Sequence, residues 1–186
     1  MVIMLFGISN VGKTVTGEKL AGSLGYQFFD LDEEIKKRFN TTLEKFMQDN
    51  QFSYGRGKIK GEILSDLINK NKNDMVIAVS PIYYARFFNP LIDLKQVIAI
   101  ELQDSEENIF QRLVFSDEND NLYKDDEYKE QHKEYFIKDI HEDLVYTKKI
   151  FKKIKSKYFI NNQSVDKVVD DLIVIIENTK EMIDSR

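Results

Sequence analysis

Short apolar runs without polar alternation recur at residues 2–6, 26–30, 75–79, 97–102 and 157–161, and each reads as a strand. Runs of this kind suit parallel strands buried on both faces. Patterns at helical spacing fill the intervals, over residues 13–24, 32–39, 42–48, 58–69, 105–115, 126–155 and 164–179. The last has the clearest stripe, Val165, Val168, Val169, Leu172, Ile175 and Ile176, behind Ser164 as its N-cap. Strand and helix in alternation predict an α/β fold with a five-stranded parallel central sheet flanked by helices. No repeat, Ser/Gly linker or proline-rich stretch divides the chain, so residues 1–186 read as one domain. Residues 117–127 break the pattern, being acidic and without apolar periodicity. Their charges suit a solvated connection, and their place in the chain suits a lid at about 116–127.

Composition narrows the chemistry. There is no cysteine, which excludes disulfides and thiolate-bound zinc. His132 and His141 are the only histidines, and their separation is wrong for a helical i, i+4 metal pair. A net charge of −5 offers no general attraction to nucleic acid. No apolar run approaches the ~20 residues of a membrane helix, and Met1–Phe6 is too short for an export signal. These features point to a cytoplasmic protein, a monomer or weak oligomer, without a nucleic-acid or membrane partner.

The strongest chemical signal is Gly7-Ile8-Ser9-Asn10-Val11-Gly12-Lys13-Thr14, set between an apolar strand and a helix. A G-x-x-x-x-G-K-T loop turns backbone N–H groups towards an anion at the helix N-terminus. Gly7, Ser9, Asn10, Val11 and Gly12 would form the nucleotide cradle. Lys13 would reach the β- and γ-phosphates of ATP, and Thr14 would place its hydroxyl on Mg²⁺. The motif makes the expected architecture a three-layer P-loop fold.

A second signal follows in Phe28-Phe29-Asp30-Leu31-Asp32. Read as the end of a strand, the i, i+2 spacing puts both carboxylates on one face at the sheet's carboxyl edge. One can hold a hydrated Mg²⁺ while the other meets an acceptor hydroxyl. Asp32 could instead simply cap the helix that begins at Glu33.

With these residues in place, the chain resembles the shikimate kinase family, over nearly its whole length and most clearly from Ile3 to Phe39. The resemblance implies five parallel strands, a helical acceptor-binding region and a lid. It assigns the magnesium site to Thr14, with Asp30 acting through water, and acceptor binding to Asp32. Arg56 matches the arginine that holds the acceptor's carboxylate, although a solvated Arg56 in the Gly-rich, basic segment 54–58 is the plain alternative. Arg112 resembles the arginine packed on adenine, and Asn162 lies in the segment that resembles the loop around the base.

Departures cluster on the acceptor side. The family's glycine triplet after the third strand is replaced by Ser80-Pro81-Ile82-Tyr83-Tyr84, and Pro81 has no N–H to offer. No arginine lies between Arg112 and Arg186; the family's helix arginine aligns with Glu142, and Lys124 is the only cation of the lid stretch. Lys138, Lys148 or Lys149 could supply the missing charge from a differently set helix. The reading is a Mg²⁺- and ATP-dependent kinase with Lys13 and Asp32 as its catalytic groups and a small hydroxylated acceptor. Its rivals are an ATP-binding module that signals or scaffolds, and a slow NTPase. Shikimate is the default acceptor by resemblance, and the departures predict a poor one. A lost charge-assisted hydrogen bond of ~1.5–3 kcal/mol weakens binding by about one to two powers of ten.

Overall fold

The computed structural model describes residues 1–184. In chain order the elements are β1 (Val2–Phe6), α1 (Lys13–Leu24), β2 (Gln27–Asp30), α2 (Leu31–Phe39), α3 (Leu43–Asp49), α4 (Ser53–Lys70) and β3 (Met75–Ala78). A single 3₁₀ turn (Ala85–Phe87) precedes α5 (Asn89–Ile92), β4 (Val97–Gln103), α6 (Glu106–Gln111), β5 (Phe115–Ser116) and β6 (Leu122–Tyr123). The chain closes with α7 (Asp126–Gln131), α8 (Lys133–Ile150), β7 (Ser156–Phe159) and α9 (Val165–Asp184).

The five apolar runs form one parallel sheet in the order β2-β3-β1-β4-β7. Pleating explains why they lack polar alternation. On β1, Val2, Met4 and Phe6 point into one core with Ile77, Phe88 and Phe151. Ile3 and Leu5 point into the other with Leu20, Ile100 and Leu172. Both faces of the strand are therefore buried. On α9 the stripe residues Val168, Val169, Leu172 and Ile176 are buried, and Ser164 Oγ accepts from the Lys167 N–H at 3.3 Å.

Besides ending the helix expected over 105–115 at Gln111, the structure departs from the sequence expectations in three places. The single helix over 126–155 is two, α7 and α8, broken at His132, and Asp125 caps the first by accepting from the Tyr128 N–H at 2.9 Å. The acidic lid stretch, expected without an element of its own, contains the antiparallel hairpin of β5 and β6, and its residues are largely exposed, as a solvated connection should be. Asp117 shapes its turn by accepting from the Asn119 and Asn121 N–H groups, and Asp120 accepts from the Leu43 N–H at 2.8 Å, tying the hairpin to α3.

Third, α4 begins at Ser53, five residues before the apolar pattern, and carries Gly55 and Gly57 inside it. Glycine costs a helix up to ~1 kcal/mol relative to alanine, so close packing must offset the loss. A Cβ on Gly61 would lie 2.7 Å from Phe87 O, and one on Gly57 would lie 3.0 Å from Phe87 Cδ2. The bare helix face lets the 3₁₀ turn seat directly on α4. Gly61→Val should therefore lower stability by about 1–3 kcal/mol through overpacking, read as a drop in Tm of about 2–4 °C per kcal/mol. A Tm at or above that of the parent would overturn this account of the contact.

Candidate functional site

The phosphate loop joins β1 to α1 at the carboxyl edge of the sheet. Three of its residues have left-handed φ: Gly7 at 147°, Asn10 at 59° and Gly12 at 106°. Gly7 is doubly constrained, since a Cβ there would meet Leu102 O at 2.6 Å and Val11 Cγ1 at 2.8 Å. Val11 is buried, while Ser9 is exposed at the loop's rim. Lys13 Nζ folds back along the loop, donating to Gly7 O at 3.1 Å and Ile8 O at 2.7 Å. Burial pushes the Lys13 ammonium down to about 8, against the pull of the Asp32 and Asp30 carboxylates.

Thr14 and Asp30 come together: Thr14 Oγ1 donates to Asp30 Oδ2 at 2.7 Å. A hydroxyl beside one carboxylate fits a magnesium ion held chiefly by water and phosphate. Asp30 is also the N-cap of α2, its Oδ1 accepting from the Asp32 N–H at 2.9 Å. That corrects two expectations. Asp32 is in the first turn of α2 rather than on the strand, and the cap is Asp30, not Asp32.

Asp32 opens onto a cleft of ≈ 230 Å³ bounded by Ser9, Arg56, Lys60, Ser80 and Tyr83, with Leu43, Phe46 and Met47 as an apolar wall. Arg56 is half-buried on α4 rather than in a solvated segment, and its Nη1 donates to Asn50 O and Gln51 O at 2.7 Å each. The aromatic run after β3 divides its work. Phe88 is core, Phe87 covers α4, and Tyr83 lines the cleft with its ring 5.6 Å from that of Tyr146.

Lys60 was not singled out in the sequence, although its i+4 spacing from Arg56 marks the same helix face. Its Nζ is 3.9 Å from Asp32 Oδ1 and donates to Pro81 O at 3.2 Å. Burial pushes this ammonium below its usual range; Asp32 opposes that and Arg56 adds to it. The α8 lysines do not take this place: Lys138 is exposed and pairs with Glu142 at 3.8 Å, and Lys148 and Lys149 are exposed. Glu142 is exposed as well, and its neighbour Asp143 is half-buried. Burial, with Asp139 and Glu142, raises the Asp143 carboxyl, and the Lys13 charge holds it back.

Arg112 sits at the C-terminus of α6 on the other side of the loop, its Nε donating to Asn10 O at 3.3 Å and its Nη2 to Asp104 Oδ2 at 2.7 Å. Burial pushes the Asp104 carboxyl up, but hydrogen bonds from Asn108 and Arg112 hold it below its usual range. Asn162 is exposed just past β7, at φ 56°, and the preceding Ile160 reaches the Gly12 side of the loop. Arg112 and Ile160 thus touch the phosphate loop.

Among the described residues no helix is long and apolar enough to cross a membrane. A family model for shikimate kinase matches residues 9–176. The shikimate kinase of Flavobacterium johnsoniae is 23 % identical over 176 residues, covering 94 % of this chain and 98 % of that protein. The pentafunctional AROM polypeptide of Schizosaccharomyces japonicus is 32 % identical over 76 residues, 41 % of this chain but 5 % of that much longer protein. Among solved structures, shikimate kinase from Acinetobacter baumannii in complex with shikimate superposes with a TM-score of 0.74 at 23 % identity, covering 96 % of this chain and 94 % of that one. At that identity the superposition speaks for the fold.

Proposed function

Because the chain belongs to the shikimate kinase family, we propose that it is a magnesium-dependent kinase that moves the γ-phosphoryl group of ATP onto a hydroxyl of a small acceptor. One observation carries the reading. The cleft is bounded by Ser9 of the phosphate loop and by Asp32 together, so a hydroxyl bound there would face the transferring phosphate.

Lys13 neutralises phosphate charge, and the loop's N–H groups hold the chain of phosphates in place. Thr14 directly, and Asp30 through water, would hold Mg²⁺, which when bound offsets charge on the phosphate oxygens. Asp32 orients the acceptor hydroxyl. As its oxygen bonds to the γ-phosphorus, the bond to the β,γ-bridging oxygen breaks, ADP leaves, and the hydroxyl proton passes to Asp32. Arg56 anchors an acidic group of the acceptor, while Arg112 and Asn162 flank the base.

An ADP-release assay against shikimate, polyols, amino alcohols and hydroxy acids tests this. We expect release that depends on an acceptor, with a Michaelis constant for shikimate above about 1 mM, the upper end of the common range. Mg·ATP binding without acceptor-dependent release would make the protein a nucleotide-binding module. Release that ignores the acceptor would make it a slow NTPase.

A further inference from the structure

Lys60 and Arg56 stand one helical turn apart on α4 and border the same cleft as Asp32. At 3.9 Å from Asp32 Oδ1, the Lys60 ammonium is beyond hydrogen-bond range of that carboxylate. Its hydrogen bond to Pro81 O uses one of three protons, leaving donors for a ligand. Ser80 borders the same space, is 5 % exposed, and its Oγ has no hydrogen-bond partner among the described residues. That oxygen is enclosed, so Ser80 serves as wall and the donors that reach the cleft are those of α4. Lys60 and Arg56 border the cleft beside Asp32, with Asp30 also acting on Lys60, and a carboxylate on the acceptor would pair with the ammonium donors that Asp32 leaves unused.

We propose that Lys60 is an acceptor-binding residue: with Arg56 it grips a carboxylate on the acceptor, and the cleft thereby selects a hydroxylated monoanion over a neutral polyol. The second cation of the acceptor site then comes from α4, not from α8. This rests on the kinase reading and names its substrate class.

Shikimate and its methyl ester are a matched probe pair, identical in ring hydroxyls and different in charge. Lys60→Met should raise the Michaelis constant for shikimate about 10- to 100-fold, the worth of one charge-assisted hydrogen bond. It should leave the ester within about threefold, and leave kcat for both little changed. Lys60→Arg should restore most of the loss. If Lys60 were only a strut for Pro81 O, both acceptors would suffer alike; that result, or no change with either, overturns the proposal. Should Lys60→Met fold poorly, as judged by its thermal shift with Mg·ATP, Lys60→Gln takes its place. Absence of turnover with both compounds in the parent protein would exclude shikimate as the acceptor and leave the Lys60 assignment to binding. Calorimetric titration of each compound into the ADP-bound protein then decides: preference for the anion, lost in the Lys60 variants, supports the proposal, and equal binding or none overturns it.

Discussion

Asp32→Asn is expected to lower kcat by about 10²–10⁴-fold, the usual worth of a positioned general base, while Mg·ATP affinity stays within a few-fold. The division follows from where the two carboxylates sit. Asp30 is committed to Thr14 Oγ1 and to the Asp32 N–H, on the phosphate side. Asp32 turns its own side chain to the cleft, where Lys60 is its nearest cation at 3.9 Å. Asparagine keeps the shape and can still accept a hydrogen bond, but it cannot take the hydroxyl proton as the new O–P bond forms. The backbone N–H that Asp30 caps is unchanged by the substitution, so α2 should stay in place. Asp30→Asn should behave differently, raising the magnesium concentration needed for half-maximal rate. Turnover by ADP release at saturating ATP, beside ATP affinity by titration, separates the two. Equal losses of ATP affinity in both variants, with turnover intact at saturating ATP, would sink the assignment.

Much of this was legible in the residues. The five strands were visible because a parallel strand covered on both faces needs an unbroken apolar run, and the phosphate loop was visible because its glycines serve backbone geometry that other residues reach only with strain. What escaped depends on partners distant in sequence. Gly55 and Gly57 look like a loop when read locally; only the approach of Phe87 explains why α4 accepts Gly57 and Gly61. The hairpin within the acidic lid was hidden because nothing nearby predicts that Asp120 reaches Leu43 N, 77 residues away. Asp32 was placed on the strand because i, i+2 spacing cannot reveal that Asp30 ends one element and caps the next. Lys60 escaped for another reason. The resemblance directed attention to α8, where the family keeps its arginine, and away from the next turn of the helix that already carries Arg56.

Lys13→Met should weaken Mg·ATP binding by at least about one to two powers of ten, the loss of a charge-assisted contact to phosphate, and remove most of the heat stability that Mg·ATP confers by linkage. The same residue makes binding in the parent protein depend on pH. In the free protein burial holds the Lys13 ammonium near 8 against an ordinary value of 10.5, so from about pH 8 upward it is increasingly neutral. Phosphate oxygens beside it favour the charged form, so above that point binding must take up a proton. Affinity should therefore fall as pH rises from about 8, approaching tenfold per pH unit where uptake is complete. The stability of the free protein has the opposite sign. Between 8 and 10.5 the unfolded chain holds more of this proton than the folded one, so the Lys13 contribution to stability rises with pH in that window. Lys60, also pushed down by burial, lies on the acceptor side, and its titration should survive in Lys13→Met while the ATP-linked uptake vanishes. Calorimetry between pH 7 and 10 in buffers of different ionisation enthalpy measures the uptake directly. An ATP affinity in the parent protein that is flat across that range, or an uptake that persists in Lys13→Met, would show that the buried lysine is not the phosphate-binding charge.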